Sequence, residues 1–178
     1  MGRFVGLLRA VNVGGRKLPM AELRDLCAGL GWREVATYIQ SGNLLFEASG
    51  RAEALERALE EAIEARFAMA VPAIVRSAGD WARYAPSNPF PKAAEDEPNR
   101  LMLMLSKKPP AAGAVEALRE RARDGERIAA AGDAIWIHYP AGAGTSRLSP
   151  SLIDRLIGSP ATARNYRTVV KLGEMLEC

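Results

Sequence analysis

One succession of apolar segments occurs twice along the chain, in residues 1–85 and again in residues 99–178. Each time, a segment typical of a strand is followed by a helix, a strand hairpin and a further helix. Alternation of apolar and polar residues indicates strands, whereas recurrence at three and four residues indicates amphipathic helices. Hairpins with helices on one face of the sheet are typical of α+β proteins. The sequence therefore predicts two tandem ferredoxin-like α+β halves of strand-helix-strand-strand-helix order, with antiparallel-rich sheets.

A proline-rich segment separates the two repeats. It holds four prolines and an acidic run. Because proline lacks a backbone N–H and fixes φ, we expect neither a helix nor a central strand there. The sequence thus predicts a first half over residues 1–85, a linker over residues 86–98 and a second half over residues 99–178 that ends in helices. Although the halves share little residue identity, their common order of elements indicates a structural duplication.

The bounds of the elements follow from the apolar positions and from the residues that begin or end helices. In the first half we expect strands over residues 3–11, 34–40, 43–48 and 71–76, and helices over residues 20–30 and 51–69. In the second half we expect strands over residues 99–106, 126–130 and 134–139, a helix over residues 111–123, and two closing helices after Ser149-Pro150 and Ser159-Pro160. If the first strand runs parallel to the second, the loop after the first strand and the turn after the second lie at one edge of the sheet.

The composition is that of an ordinary globular protein, with 48% hydrophobic and 25% charged residues, which excludes disorder of the whole chain. No apolar run reaches the roughly 18 residues of a spanning helix, and the start lacks the features of a signal peptide. We therefore expect a cytoplasmic protein with no membrane partner. The two cysteines, Cys27 and Cys178, make neither a disulfide framework nor a metal site. We expect no metal and no cofactor.

Three polar segments lie where a strand or helix ends or begins, so their side chains are available to a ligand. The net charge of +3 decides little, but the first twenty residues and residues 155–173 hold bases and no acid. Such local basicity attracts phosphates or carboxylates, although the same bases can form a solvated face. The segments are Arg9-Ala-Val-Asn-Val-Gly-Gly15, Tyr38-Ile-Gln-Ser-Gly-Asn43 and Thr162-Ala-Arg-Asn-Tyr-Arg-Thr-Val-Val-Lys-Leu172.

Together these segments resemble an uncharacterised bacterial family known as domain of unknown function 1697. Members of that family carry a Leu-Leu-Arg-Gly-Ile-Asn-Val-Gly-Gly opening, a Gln-Ser-Gly-Asn turn and a Thr-x-Arg-Asn-x-x-Thr-Val-x-Lys-Leu ending. The resemblance spans nearly the whole chain and departs at Ala10 and Val11, where the family pattern has Gly and Ile. It implies a compact, soluble, two-part α+β protein, and it implies no activity.

The first segment has the chemistry of an anion-binding loop. Gly14 and Gly15 lie between a strand and a helix, where glycines expose backbone N–H groups. The segment lacks the P-loop pattern and the dinucleotide fingerprint, and a loop that only needs positive φ would use the same glycines. Arg9 ends an apolar strand and must reach water or a partner, because a buried unpaired guanidinium is costly. With Asn12 and Lys17 it favours the binding of an anion.

The second segment offers two amides and a hydroxyl. Ser41 and Asn43 are also residues that a hairpin turn selects for its own geometry. Turn geometry does not require Gln40, so Gln40 is the residue of this segment that most favours a ligand.

The third segment is predicted to lie in the final helix. There Arg164, Thr168 and Lys171 share one stripe, which can hold phosphate oxygens. Alternatively, Asn165 or Thr162 caps the helix and the bases are solvated. We retain Arg164, Asn165, Thr168 and Lys171 as candidate ligand-binding residues.

Catalytic constellations are mostly absent from the sequence. The one histidine, His138, lies in a predicted strand, and neither a Gly-x-Ser-x-Gly elbow nor a zinc-ligand spacing occurs. The leading hypothesis is a protein that binds a phosphate-bearing ligand, either a nucleotide or a nucleic acid, where the three segments converge on one electropositive cavity. The alternatives are an enzyme of unidentified reaction that acts on a charged small molecule, and an interaction protein whose motifs only fix loops and caps.

Overall fold

The computed structural model describes residues 1–177. The chain divides into two compact units, one formed by Met1–Trp81 together with the residues from Leu172 onward, and the other by Ala82–Lys171. Each unit contains one four-stranded antiparallel sheet, so the predicted α+β class with two tandem halves is confirmed. No helix within residues 1–177 is long and apolar enough to cross a bilayer.

The first unit is built on a sheet whose central strands are β1 and β3. The strands are β1 (Gly2–Leu8), β2 (Arg33–Tyr38), β3 (Asn43–Ala48) and β4 (Ala73–Ser77), and the helices are α1 (Met20–Gly29), α2 (Ala52–Phe67) and α3 (Ala78–Trp81). The strands lie in the order β2-β3-β1-β4. Because β1 and β2 both run antiparallel to β3, they point in the same direction and end at the same edge of the sheet.

The two long helices of this unit pack against the sheet through the apolar residues that recur along them. Cys27 of α1 and Leu59 and Ile63 of α2 are fully buried in the same cluster as Phe46 of β3. The Trp32 ring stacks on Phe46 with ring centroids 4.0 Å apart. Full burial of one such side chain stabilises the fold by about 1.5–3 kcal/mol, so this cluster holds the helices on the sheet.

Helix α2 also satisfies backbone groups of the edge strand β4. Glu60 Oε1 accepts a hydrogen bond from Ala73 N at 2.8 Å, and Glu56 Oε1 accepts one from Val75 N at 2.9 Å. Glu56 is buried and also pairs with Arg76 of β4 at 3.8 Å. Two carboxylates thus bind donors that an uncovered edge strand would offer to another chain.

The C-terminal stretch of the chain belongs to the first unit. Leu172 and Leu176 are buried, and the Arg3 guanidinium of β1 donates to the Leu176 carbonyl. The Trp81 ring lies 3.8 Å from the position that a Cβ on Gly173 would take. Two separate stretches of sequence therefore form the first unit.

The second unit repeats the β-α-β-β-α-β order of the first. The strands are β5 (Leu101–Ser106), β6 (Arg127–Ala131), β7 (Ala134–His138) and β8 (Ala161–Asn165), and the helices are α4 (Pro91–Asp96), α5 (Ala114–Arg121) and α6 (Pro150–Ile157). A further helix, α7 (Tyr166–Glu177), begins in this unit, and its residues from Leu172 onward belong to the first unit. A short 3-10 turn spans Ala143–Thr145. The strand order β6-β7-β5-β8 matches the order in the first sheet position by position.

The prediction of a helix directly after Ser159-Pro160 is wrong. Residues 161–165 instead form β8, which pairs antiparallel with β5 along its whole length. Pairing with the neighbouring strand β5 outweighs the local helical pattern. In the paired strand Thr162 and Arg164 are buried. The final helix begins only at Tyr166, where Asn165 Oδ1 accepts a hydrogen bond from Thr168 N at 2.9 Å. The cap expected in the alternative interpretation is therefore present at Asn165, whereas the solvated bases of that interpretation do not include Arg164, which is buried.

Two further expectations about element bounds are wrong. The first strand ends at Leu8, because Ala10 and Asn12 have φ of +54° and +56°, which a strand does not accommodate. The proline-rich segment does contain a helix, Pro91–Asp96. Pro91 occupies a first-turn position, where the missing N–H breaks no helical hydrogen bond.

Candidate functional site

Two loops meet at the edge of the sheet where β1 and β2 end. One spans residues 9–19, and the other is the tip of the β2–β3 hairpin, residues 39–42. Asn12 Nδ2 donates to the Gln40 carbonyl at 2.6 Å, although 28 residues of sequence separate them. Leu8 N donates to the Gly42 carbonyl at 2.8 Å. These bonds confirm that the first two polar segments are neighbours.

A cavity of about 480 Å³ opens between the two loops. We name it the Asn12–Gln40 cavity, and its lining residues are Asn12, Gly15, Arg16, Lys17, Pro19 and Gln40. Four of the six were candidates from the sequence; Arg16 and Pro19 were not, although Arg16 follows the glycine pair in the same basic stretch. Two of the lining side chains are cationic and none is acidic. The volume lies within the roughly 300–1,000 Å³ of small-molecule sites.

Asn12 ties the two loops together. Besides its bond to Gln40, Nδ2 donates to the Leu18 carbonyl at 3.1 Å, and Oδ1 accepts from Leu18 N at 2.8 Å. Both amide hydrogens and the oxygen are therefore engaged. Asparagine suits the position because it tolerates positive φ better than most residues with a side chain. Asn12 thus positions the groups around it.

The tip of the hairpin is fixed by its own polar side chains. Asn43 is fully buried, and its Nδ2 donates to the Tyr38 carbonyl at 3.0 Å and to Ser41 Oγ at 3.1 Å. The loop has four residues instead of the predicted two, because β2 ends at Tyr38. Ser41 and Asn43 thus serve the turn, which was the alternative interpretation of both residues.

Lys17, Gln40 and the glycine pair are the groups that a ligand can reach. Lys17 and Gln40 are exposed, and within residues 1–177 no partner engages the Lys17 ammonium or the Gln40 side-chain amide. Gly14 and Gly15 have φ of +57° and +82°, with open space where their Cβ atoms would lie. Arg16 is half-buried and uses one donor on the Ala70 carbonyl at 2.7 Å. A guanidinium has five such donors.

Backbone strain is concentrated at this edge of the sheet. Ala10, Asn12 and Ile39 all have positive φ, between +52° and +56°, and for a β-branched residue such as isoleucine this is a marked outlier. Arg9 is half-buried and directly precedes Ala10. Its backbone N–H donates to the Pro72 carbonyl at 3.0 Å. Strained residues persist only where the surrounding structure over-determines them, and they cluster at functional sites.

The bases of the third polar segment lie in the second unit, where they do not form the predicted helical stripe. Arg164 belongs to β8 and is buried, and its NH1 donates to Thr162 Oγ1 and to the Ala163 carbonyl, each at 2.8 Å. Burial lowers the pKa of Arg164 to about 10, so its guanidinium remains charged at neutral pH. Thr168 is buried in α7, and Lys171 is exposed. The prediction that Arg164, Thr168 and Lys171 share one face of a helix is wrong, because Arg164 lies in β8, before the helix begins.

The one histidine is enclosed by charged neighbours in the second unit. Arg127 NH2 lies 3.2 Å from His138 Nδ1, and Glu97 Oε2 lies 2.8 Å from His138 Nε2. Because a guanidinium only donates, Nδ1 accepts, and the ring proton is on Nε2, facing Glu97. The Arg127 guanidinium also lies over the Phe90 ring, 5.0 Å from its centroid. Both ring nitrogens of His138 therefore have partners within the protein. In the sequence, this cluster was indicated only by the lone histidine and the acidic run.

A second cavity, of about 520 Å³, lies between α5 and the β6–β7 hairpin. Its lining is mostly alanine, glycine and proline, and it contains none of the candidates from the sequence. Arg119 in this lining donates twice to the Ile128 carbonyl, at 2.9 and 2.6 Å. The other charged residues of this lining, Glu116 and Asp133, are acidic, so for an anionic ligand the Asn12–Gln40 cavity is the stronger candidate.

The structure assigns Cys27 to the core. It is fully buried, and burial raises the pKa of the Cys27 thiol from 9.0 to about 12. Cys178 lies outside the described residues. In the part of the chain that the structure covers, no three His, Cys, Asp or Glu side chains are grouped so that they could hold a metal ion.

We expect Cys27 to resist thiol reagents. In a Cys178→Ser variant, a disulfide reagent at pH 8 should react at least about a hundredfold more slowly than with the same variant in denaturant, because only the thiolate is the nucleophile. The released thiol is followed by absorbance. Fast reaction of the native variant would contradict the buried position of Cys27.

Comparisons with other proteins give a family and a fold. The family model DUF1697, described as a protein of unknown function, matches residues 1–136. The solved structure of the conserved bacterial protein SP0830 from Streptococcus pneumoniae is similar, with 25% sequence identity, a TM-score of 0.77 and 98% of each chain covered. No match was found among curated proteins. The matched residues include both loops of the Asn12–Gln40 cavity, and the chain belongs to the DUF1697 family.

Proposed function

We propose that the Asn12–Gln40 cavity binds the phosphate group of a small ligand. The observation that carries this proposal is the position of Arg16, Lys17 and the Gly15 backbone around one cavity whose lining includes no acid. Ammonium and guanidinium groups give charge-assisted hydrogen bonds to phosphate oxygens. Backbone N–H groups of a glycine loop add neutral donors. Gln40 supplies a donor and an acceptor for the polar part of the same ligand.

The cavity favours a small molecule over a nucleic-acid strand. A single strand is bound along a groove in which aromatic side chains stack on successive bases. The six lining residues include no aromatic one. Binding of a small ligand should therefore depend on salt less steeply than binding of an oligonucleotide would.

We expect Lys17→Ala to weaken the binding of ribose 5-phosphate at least about tenfold, because a hydrogen bond from a charged group contributes roughly 1.5–3 kcal/mol. Isothermal titration calorimetry at low ionic strength measures the change. Lys92→Ala is the matched control, since Lys92 is an exposed lysine of the second unit and its loss should leave the affinity unchanged.

Two results would count against a phosphate site in this cavity. One is equal affinity in wild type and Lys17→Ala, and the other is failure of the wild type to bind either ribose 5-phosphate or inorganic phosphate. Tight binding of a single-stranded oligonucleotide, with a steep decrease as salt rises and no binding of ribose 5-phosphate, would instead support nucleic acid as the partner.

A further inference from the structure

Each of the two loops that form the Asn12–Gln40 cavity presents one exposed large apolar side chain. Val13 is 57% exposed and follows Asn12; Ile39 is 52% exposed and precedes Gln40. Within the described residues only two other large hydrophobic side chains are exposed, Met1 and Leu30. The hydrogen bond from Asn12 to Gln40 joins the residues next to Val13 and Ile39. Of the exposed large apolar side chains in residues 1–177, half thus lie in the two loops of this basic cavity.

The backbone holds Ile39 in this position at an energetic cost. Its φ of +52° is unfavourable for a β-branched residue. The carbonyls on both sides of Ile39 are fixed by asparagine side chains: Asn43 donates to Tyr38 O at 3.0 Å, and Asn12 donates to Gln40 O at 2.6 Å. Hydrogen bonds from Asn12 and Asn43 therefore fix the backbone on both sides of Ile39, whose own side chain is exposed to solvent. Strain maintained in this way indicates a role for the residue that it presents.

The loop that carries Val13 is held with similar precision. Arg16 N donates to the Val13 carbonyl at 3.1 Å, and Asn12 N donates to the Arg16 carbonyl at 2.6 Å. This tight turn fixes Val13 relative to Arg16 and to the neighbouring Lys17. One short stretch therefore presents an apolar side chain together with two cations.

We propose that Val13 and Ile39 cover the ring of a nucleobase, so that the ligand of the Asn12–Gln40 cavity is a nucleotide. This inference rests on the proposed function, in which Arg16 and Lys17 take the phosphate. A nucleotide combines an anionic group with a flat, weakly hydrated ring, which matches a cationic cavity whose two loops each present an exposed apolar side chain. Sugar phosphates and inorganic phosphate lack the ring and leave both side chains in water.

A membrane surface is the other partner that combines apolar contact with anionic charge. Interfacial binding uses an amphipathic face that buries its apolar side in lipid. Here the cationic residues line a cavity of about 480 Å³, and the polar Gln40 lies in the same lining. A concave site of this kind favours a small molecule that enters it.

The test compares nucleotides with the same phosphate lacking a base. Adenosine 5′-monophosphate, uridine 5′-monophosphate and ribose 5-phosphate are titrated into wild type, Ile39→Asn, Val13→Asn and the control Leu30→Asn. Asparagine tolerates positive φ, so Ile39→Asn keeps the loop conformation while it removes the apolar surface. Thermal unfolding checks that each variant is folded.

We expect at least one nucleotide to bind wild type about tenfold more tightly than ribose 5-phosphate, since covering part of a ring with apolar side chains gives a gain of this size. Ile39→Asn and Val13→Asn should each remove most of this gain without changing the affinity for ribose 5-phosphate. Leu30→Asn should change neither.

Equal affinity of wild type for nucleotides and ribose 5-phosphate would overturn the inference and leave the phosphate site standing. Binding of phosphatidylserine vesicles that Ile39→Asn abolishes, with no preference for nucleotides, would also overturn it and assign the side chains to a lipid surface. If wild type binds none of the three compounds, the phosphate site itself is contradicted.

Discussion

Gly42→Ala is expected to lower the free energy of unfolding by about 3 kcal/mol, which corresponds to a decrease in Tm of roughly 10 °C. Gly42 has φ of +80°, and a Cβ at this position would lie 2.7 Å from Val11 Cγ2 and 2.8 Å from Leu8 Cβ. The variant therefore combines an unfavourable backbone conformation with a steric clash. Leu8 and Val11 are buried, so neither can move away cheaply.

Gly14→Ala is the matched control for this substitution. Gly14 also has positive φ, but nothing lies within 4 Å of the position that its Cβ would take, so only the backbone cost of about 1 kcal/mol should remain. Urea unfolding followed by circular dichroism measures both variants. Equal destabilisation by the two substitutions would show that the contact between hairpin tip and first loop is looser than the structure indicates.

Glu56→Ala is expected to destabilise the protein by about 3 kcal/mol. The substitution leaves the Val75 N–H without its carboxylate acceptor and removes a charge that lies 3.8 Å from Arg76 NH1, in a pair whose side chains are 5% and 14% exposed. A buried donor without an acceptor is costly, and so is the removal of a carboxylate from beside a buried cation. The free energy of unfolding from urea denaturation provides the measurement.

Two further variants separate the contributions at this edge. Glu56→Gln retains an oxygen for the Val75 N–H and should recover part of the loss. Glu61→Ala removes an exposed carboxylate from the same helix and should change stability by less than about 0.5 kcal/mol. If Glu56→Ala behaves like Glu61→Ala, the edge of β4 does not depend on this carboxylate.

Elements with strong local end signals were predictable from the sequence. Helix α6 spans Pro150–Ile157, as expected, because Ser149 Oγ accepts from Leu152 N, Pro150 fits the first turn, and Gly158 ends the helix with φ of +95°. Strand β8 follows a second Ser-Pro pair, Ser159-Pro160, yet the residues after it form a strand, so this local signal alone did not decide the structure. The five residues of β8 become a strand through pairing with β5, which a local pattern does not encode.

The candidate site was predictable in its location but not in its division of roles. Parallel direction of the first two strands was enough to bring Asn12 and Gln40 to one edge. Polar residue types, however, do not tell whether a side chain binds a ligand or the protein's own backbone, and Asn12 and Asn43 proved to do the latter. The positive φ of Ile39 had no sequence signal, since isoleucine is among the residues least suited to it.

The discontinuous first unit limits how the protein can be dissected. A fragment that stops at Trp81 would contain both loops of the cavity. It would lack the buried side chains of Leu172 and Leu176, and it would lack the Leu176 carbonyl, which accepts a hydrogen bond from the Arg3 guanidinium. Truncation of the chain after Trp81 would therefore expose apolar surface of the first unit. Ligand screening on this protein should keep both ends of the polypeptide, even though every residue of the proposed cavity precedes residue 41.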